Sequence, residues 1–238
     1  MAAPQRIWAV IPAAGTGVRM GSSIPKQYLA LAGRTVIEHV LDVFLAEPRI
    51  AGISVAIADS DPYWPRYVKP NSKPVKTVQG GEERVHSVRN ALLSLSGELD
   101  DDDWILVHDA VRACLHHGDL EHLIVTLEQD PVGGILAAPL VDTIKQVDEL
   151  GYITGTPSRR GIWRALTPQM FRYGLLCAAL DAALGAGNLP TDEAAAVERI
   201  RPGRVRVVEG RSDNLKITRP DDIAIAEAIL AKRAEGRA

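Results

Sequence analysis

Apolar residues along the chain fall into two alternating kinds of run. Short stretches rich in Val, Ile and Ala, without a polar face, occur at Ile7–Ile11, Ile53–Ala58, Val75–Val78, Trp104–His108, Gly134–Pro139 and Val205–Val208. Runs of this length and content predict strands buried on both faces. Between several of them the spacing changes to threes and fours: Val36, Ile37, Val40, Leu41 and Phe44; Val85, Val88, Ala91, Leu92 and Leu95; Leu120, Leu123, Ile124 and Leu127. Each set draws one apolar stripe on a helix. Thr35 with Glu38 has the form of a capping box, and Thr218 with Asp221 repeats it before Ile223–Leu230. Helices alternating with doubly buried strands predict an α/β fold: a mostly parallel, doubly wound (Rossmann-like) sheet with helices on both faces.

One segment departs from this alternation. Asp142–Val147 and Tyr152–Thr156 read as two short polar strands joined around Glu149, Leu150 and Gly151. A hairpin this poor in apolar residues supplies no core of its own. A projecting β-hairpin arm over about 141–159 is therefore expected, docked on something else, and a second subunit is the natural candidate. The rest shows no repeat, linker or boundary, so residues 1–238 are read as a single domain.

Composition narrows the possibilities. A chain of 238 residues that is 46% hydrophobic and 24% charged has the balance of a globular protein, which excludes a disordered acidic tail, a collagenous chain and a coiled-coil rod. Lys and Arg number 27 against 30 Asp and Glu, a net charge of -3 that gives no bulk attraction to nucleic acid or anionic lipid. An anionic ligand must then be held by local geometry. Cys114 and Cys177 have neither metal nor redox spacing nor the density of a secreted scaffold, which fits a reducing cytoplasm. Ile7–Ala14 runs into a Gly-rich basic segment instead of a signal-peptide cleavage site. No apolar run approaches the roughly 18 residues of a membrane span. A cytoplasmic protein without membrane or nucleic-acid partners is expected.

The stretch with the most chemistry is Pro12-Ala13-Ala14-Gly15-Thr16-Gly17-Val18-Arg19-Met20, followed by Pro25-Lys26-Gln27. It begins where the first strand ends, which is where open α/β sheets bind ligands, and small residues there let backbone N–H groups approach phosphate oxygens. Arg19 and Lys26 add two cations of the kind a triphosphate needs as charge redistributes in transfer. Neither the dinucleotide fingerprint nor the P-loop pattern fits, since Met20 stands where the third small residue is required.

The pattern A-A-G-x-G-x-R-M with P-K-Q resembles the activating loop of nucleotidyltransferases. Further blocks narrow the likeness: Gly80-Gly81-Glu82-Glu83-Arg84 with Ser87, Val107 to Arg112, Asp142 to Lys145, Leu166-Thr167-Pro168-Gln169, Thr191 to Ala194, and Glu209 to Thr218. In this order they resemble the 2-C-methyl-D-erythritol 4-phosphate cytidylyltransferase family. The resemblance implies a CTP-consuming enzyme of the non-mevalonate isoprenoid pathway, a homodimer whose arm reaches the neighbouring subunit. It implies Ala13, Ala14, Gly15, Thr16, Gly17, Gly81, Glu82 and Ser87 around the nucleotide, with Arg19 and Lys26 on its phosphates. Asp109, Arg112, Thr143, Arg159, Thr191 and Lys216 would surround the acceptor, Thr143 and Arg159 coming from the partner's arm. Arg19, Lys26, Arg159 and Lys216 are the expected catalytic group, with Mg²⁺ bound mainly through the CTP phosphates and no dedicated metal ligands. Three departures stand out: Glu82 where aspartate is common, Val111-Arg112-Ala113 for the frequent Ala-Arg-Pro, and Ser158 before Arg159. The first alters reach toward the ribose or base.

Two rivals share the loop and the scaffold. One is a cytidylyltransferase for another polyol phosphate, such as ribitol 5-phosphate; the other is a non-catalytic nucleotide-binding protein, which has no need of Lys26, Arg19, Arg159 and Lys216 together. Elsewhere plain readings hold. Asp109 at a strand end is also a common helix cap, so His108 and Asp109 imply no catalytic dyad. His116, His117 and His122 lack a zinc-ligand spacing. Asp100–Asp103 reads as a solvated turn, and Trp163 as a packing residue.

Overall fold

In the computed structural model, residues 5–15, 24–64 and 73–235 are described. β1 (Ile7–Pro12) leads through a single turn of 3₁₀ helix at Lys26–Tyr28 to the two-residue strands β2 (Ala30–Leu31) and β3 (Arg34–Thr35), then α1 (Val36–Ala46) and β4 (Ile50–Ile57). β5 (Val75–Gln79), α2 (Arg84–Leu93), β6 (Trp104–Val107), α3 (His117–Leu127) and β7 (Gly133–Pro139) follow. The arm strands are β8 (Gln146–Val147) and β9 (Ile153–Gly155). After them come β10 (Trp163–Arg172), α4 (Tyr173–Gly185), α5 (Glu193–Ile200), β11 (Arg206–Glu209) and α6 (Asp221–Glu235).

Seven strands form one sheet in the order β11-β7-β10-β6-β1-β4-β5. All neighbours are parallel except those of β10, which runs antiparallel between β6 and β7. From β1 the chain winds outward through β4 and β5, then returns to the other side of β1 as β6. The strand order therefore reverses between β1 and β6, and crevices for ligands open at such points.

The sheet carries core on both faces. Val36, Ile37, Val40, Leu41 and Phe44 of α1 and Leu120, Leu123, Ile124 and Leu127 of α3 pack with Ile11, Ile53 and Leu106 on one side. Val85, Val88, Ala91 and Leu92 of α2 pack with Val10, Ile105 and Phe171 on the other. The Thr35–Glu38 capping box forms, the Glu38 carboxylate accepting from both the Thr35 N–H and its hydroxyl at 2.9 Å. Before α6 the carboxylate is Asp222, not Asp221: it accepts from the N–H groups of Thr218 and Arg219 at 2.7 and 2.8 Å.

The acidic turn before β6 also differs from expectation. Asp100, Asp101 and Asp102 are exposed, but Asp103 is buried, accepting from the Arg6 N–H at 2.7 Å and from its Nε at 3.0 Å. A buried carboxylate requires such partners. It fastens the start of β1 to β6.

The arm is shorter and more apolar than its sequence suggests. Asp148 closes its turn, accepting at Oδ1 from Leu150 and Tyr152 N–H, with Gly151 at φ +87°. Val147, Leu150, Tyr152 and Ile153 are between 58% and 83% exposed. Trp163, at the root, is 39% exposed and so only partly a packing residue.

Candidate active site

At the carboxyl ends of β1, β4, β5 and β6 lies a cavity of about 470 Å³. Most of its lining comes from the loops that follow β1, β5 and β6. From β1 come Ala13, Ala14 and Gly15, with Ala13 N–H donating to Ala56 O of β4 at 2.6 Å. Gly80 and Gly81 follow β5, where Gly80 N–H donates to Ile57 O at 2.7 Å. A Cβ on Gly80 would sit 2.3 Å from Ala14 Cβ, so the approach of this turn to the first loop depends on that glycine, while one on Gly81 would sit 2.3 Å from His86 Cβ, so the seat of the turn on α2 depends on the second. Ser87 Oγ accepts from Gly81 N–H at 3.1 Å. Main-chain donors of Ala13, Gly80 and Gly81 are thus already used in holding the turn.

The loop after β6 supplies the charged wall. Asp109 is buried, and three cations converge on it: Arg84 Nε at 3.1 Å from Oδ1, with Arg112 Nε at 3.2 Å and Lys216 Nζ at 3.1 Å from Oδ2. Burial pushes its carboxyl up, but these cations outweigh that and hold it well below the usual carboxylate range. Arg84 extends the network through a two-pronged pair to buried Glu193, at 2.6 and 3.1 Å. Burial presses the Arg84 guanidinium down while Glu193 and Asp109 raise it further, a net increase.

Behind Asp109 stands His108, fully buried beside Phe44. Its Nε2 is 3.2 Å from Arg112 O and its Nδ1 is 2.9 Å from Thr167 Oγ1. A carbonyl only accepts, so Nε2 carries the proton and Nδ1 accepts from the Thr167 hydroxyl. The hydroxyl in turn accepts the Asp109 N–H at 3.2 Å. Burial lowers the His108 pKa to about 4, so the ring is neutral. His108 is not one half of an acid–base dyad; it fixes the turn that carries Asp109 and Arg112. Asn214 ties in the Lys216 loop, its side chain donating to Thr167 O at 2.8 Å while its main-chain carbonyl accepts from Arg112 Nη1 at 2.8 Å.

Of the residues singled out by sequence, Ala13, Ala14, Gly15, Lys26, Gly81, Glu82, Ser87, Asp109 and Lys216 line this one cavity. Arg112 borders it through Asp109. Thr191 is exposed just before the N-terminus of α5, where Asp192 caps the helix by accepting from Ala195 N–H at 2.8 Å. Thr143 and Arg159 lie on the exposed arm, outside the lining of the cavity, and Arg159 is engaged with Val141 O. Thr16, Gly17 and Arg19 lie outside the described residues. Sequence reasoning passed over Gln27, Arg84 and Glu193; all three sit inside quoted motifs, but nothing local signals that Arg84 meets a carboxylate 109 residues away. Of the histidine trio, His116 accepts from Gly118 N–H and His117 pairs with Glu47 at 3.4 Å.

A small-residue loop and two lysines at the switch point of an open α/β sheet are equipment for moving a nucleotidyl group, and fold and cavity together define a nucleotidyltransferase. The chain belongs to the 2-C-methyl-D-erythritol 4-phosphate cytidylyltransferase family, whose sequence model it matches over residues 7–232. A protein of that name from Pseudomonas putida (strain GB-1) is 51% identical over 217 residues, 91% of this chain and 92% of the relative. One from Pseudomonas fluorescens (strain Pf0-1) is 51% identical with the same coverage. Among solved structures, a 4-diphosphocytidyl-2C-methyl-D-erythritol synthase superposes with a TM-score of 0.82 at 36% identity, covering 95% of this chain and 100% of that one. The Francisella tularensis 2-C-methyl-D-erythritol 4-phosphate cytidylyltransferase gives 0.79 at 36% identity, covering 94% and 99%.

Proposed function

We propose that this chain transfers CMP from CTP to 2-C-methyl-D-erythritol 4-phosphate, releasing pyrophosphate and forming 4-diphosphocytidyl-2-C-methyl-D-erythritol on the non-mevalonate route to isoprenoids. The observation that carries the reading is the shared cavity lined by Ala14, Gly15, Gly81, Lys26 and Lys216, in a chain of this family. The acceptor phosphate is mostly dianionic near neutral pH, its second pKa being about 6. It needs no general base. An acceptor oxygen forms a bond to the α-phosphorus of CTP, the bond to the bridging oxygen breaks, and pyrophosphate leaves with the electron pair.

The protein's part is alignment and charge. Lys26, together with Arg19, offsets the negative charge that builds on the triphosphate. Lys216, Asp109, Arg112 and Thr191 receive the acceptor, joined by Thr143 and Arg159 from a partner's arm. The apolar exposure of Val147, Leu150, Tyr152 and Ile153 supports an arm that docks on a second copy, as a homodimer. Ala14, Gly81, Glu82 and Ser87 receive the nucleoside.

Mg²⁺ would neutralise part of the triphosphate charge. Both Asp109 oxygens are engaged by cations, so this carboxylate is not placed to hold the ion, and the CTP phosphates with water would supply most of its ligands. A cytoplasmic location accords with the two free cysteines. Among the described residues no helix is long and apolar enough to cross a membrane.

Pyrophosphate release by the purified protein, measured with each nucleoside triphosphate against methylerythritol phosphate and ribitol 5-phosphate, tests the reading. CTP with methylerythritol phosphate is expected to give the highest kcat/KM. Ribitol 5-phosphate as the better acceptor would move the chain to the rival activity, and ATP or GTP matching CTP would refute the pyrimidine pocket.

A further inference from the structure

Lys26 and Gln27 are consecutive in one short turn, yet their side chains serve different ends. Both residues line the cavity, but Lys26 is partly exposed whereas Gln27 is 3% exposed, its amide donating into the loop that follows β1. Its Nε2 lies 2.6 Å from Ala13 O and 3.3 Å from Gly15 O. One primary amide therefore holds the carbonyls on both sides of Ala14. Ala13 N–H is committed to Ala56 O, so the strand anchors the loop on one side and Gln27 anchors it on the other.

A loop that takes an anion must present donors and turn its acceptors away, because a carbonyl oxygen facing a phosphate oxygen is repulsive. Gln meets this need because its NH₂ offers two donors from one atom without adding charge, whereas an ionised Glu of the same length offers none. We propose that Gln27 is a positioning residue for the nucleotide, its carboxamide holding the carbonyls of Ala13 and Gly15 away from the bound nucleotide so that the loop's N–H groups face it. The inference rests on the nucleotidyl-transfer reading of this cavity and adds a residue to it. Gln27 touches no reacting atom; it acts through the main chain of its neighbours.

Two variants of nearly equal length separate positioning from mere support of the fold. Gln27→Met keeps the volume and removes both donors; KM for CTP is expected to rise roughly tenfold, the scale of one or two lost hydrogen bonds. KM for the acceptor should stay within about twofold of the parent. Gln27→Glu sets a carboxylate against two carbonyls, and burial raises its pKa. Protonation restores one donor, so KM for CTP, divided by the parent's value at each pH, should fall as pH is lowered from about 8 to about 6. Taking that ratio cancels the titration of the substrates and of Lys26, Glu82, Glu83, Arg84, Asp109 and Lys216, which both proteins share. An unchanged KM for CTP in a folded Gln27→Met protein would overturn the proposal, as would equal rises in both KM values. If Gln27→Met does not fold, the pH profile of Gln27→Glu decides, and a flat ratio sinks the idea. A parent enzyme that fails to turn over CTP refutes the functional reading itself, whereas an active parent with indifferent variants removes only Gln27.

Discussion

Lys216, on the loop before α6, places its Nζ 3.1 Å from Oδ2 of Asp109, on the loop after β6. The two partners are unequal. Asp109 is buried and carries Arg84 and Arg112 as well, whereas the Lys216 side chain is 41% exposed. Removing the lysine leaves a carboxylate with two partners; removing the carboxylate leaves three cations around an empty centre. Lys216→Ala is therefore expected to cost less than about 1 kcal/mol of stability, as a part-exposed pair does. It should lower kcat by about 10²-fold through loss of a charge contact. Asp109→Asn should destabilise by about 3 kcal/mol, the scale of breaking a buried pair. Denaturant titration beside steady-state kinetics checks both, and equal stability losses in the two variants would remove Asp109 from the centre of the network.

His108 gives a pH signature with a definite sign. Its pKa falls from 6.5 to about 4 on folding because its burial disfavours the charged ring. Between those values the unfolded chain binds a proton that the folded chain refuses, so stability falls as pH is lowered through this window and the effect levels off below it. At about 1.4 kcal/mol per pH unit the loss is about 3 kcal/mol. Asp109, whose folded pKa is depressed, acts in the same direction but lower down: its contribution is present above the ordinary carboxylate pKa and is lost on further acidification. Chemical denaturation at about pH 7, 5.5 and 4.5 should show the slope in the parent and its near-absence in His108→Asn. A parent curve flat across that window would show that the ring charges freely.

What sequence could and could not disclose follows from how local each signal is. Strands such as β1 and β6 were legible because burial on both faces leaves an uninterrupted apolar run. β10 was not, because Thr167-Pro168 interrupts Trp163–Arg172, and a proline ordinarily argues against a central strand. The sheet admits it at an irregularity between Ala165 and Gln169, where the register with β7 shifts. α4 also escaped notice: Leu176, Ala179, Leu180 and Ala183 are buried, but the helix as a whole is so rich in apolar residues that no single stripe stands out. In the cavity, Gly15 and Lys26 were legible as lining residues because they belong to short motifs of adjacent residues. The Arg84–Glu193 pair and the clamp of Gln27 on Ala13 and Gly15 depend on which strand ends the topology brings together.

Gly80 tests how closely the two loops proposed to hold the nucleotide must approach. A methyl group there would lie 2.3 Å from Ala14 Cβ, 2.9 Å from Ser87 Oγ and 3.2 Å from Ile57 O. Cβ against Cβ has no rotamer to relieve it, so one backbone must move. Overpacking of this kind costs about 1–3 kcal/mol. Gly80→Ala should raise KM for CTP at least about tenfold with little change in KM for the acceptor, measured by initial rates at saturating co-substrate. Gly185→Ala, where a Cβ meets nothing within 4 Å, is the control expected to leave kinetics unaltered. A normal KM for CTP in Gly80→Ala would mean that this wall does not bear on the base.

Arg159 and Lys26 sit on different parts of the chain, one on the exposed arm and the other in the cavity lining. Among the described residues the arm strands pair only with each other, Gln146 with Gly155 and Val147 with Ile153, and four apolar side chains around them face solvent. A two-stranded ribbon of that kind is marginal alone and gains stability by docking. If a two-fold pair exchanges arms, each active site takes Lys26 from one subunit and Arg159 from the other. Arg159→Ala and Lys26→Ala homodimers should each be nearly inactive. After subunit exchange, each heterodimer holds one site with both lesions and one intact site. An equimolar mixture should thus recover about a quarter of the parent activity, half its dimers being heterodimers with one working site each. Mass spectrometry of the exchanged species confirms that heterodimers are present, and heterodimers as inactive as either parent variant would place Arg159 in its own chain's site or in none.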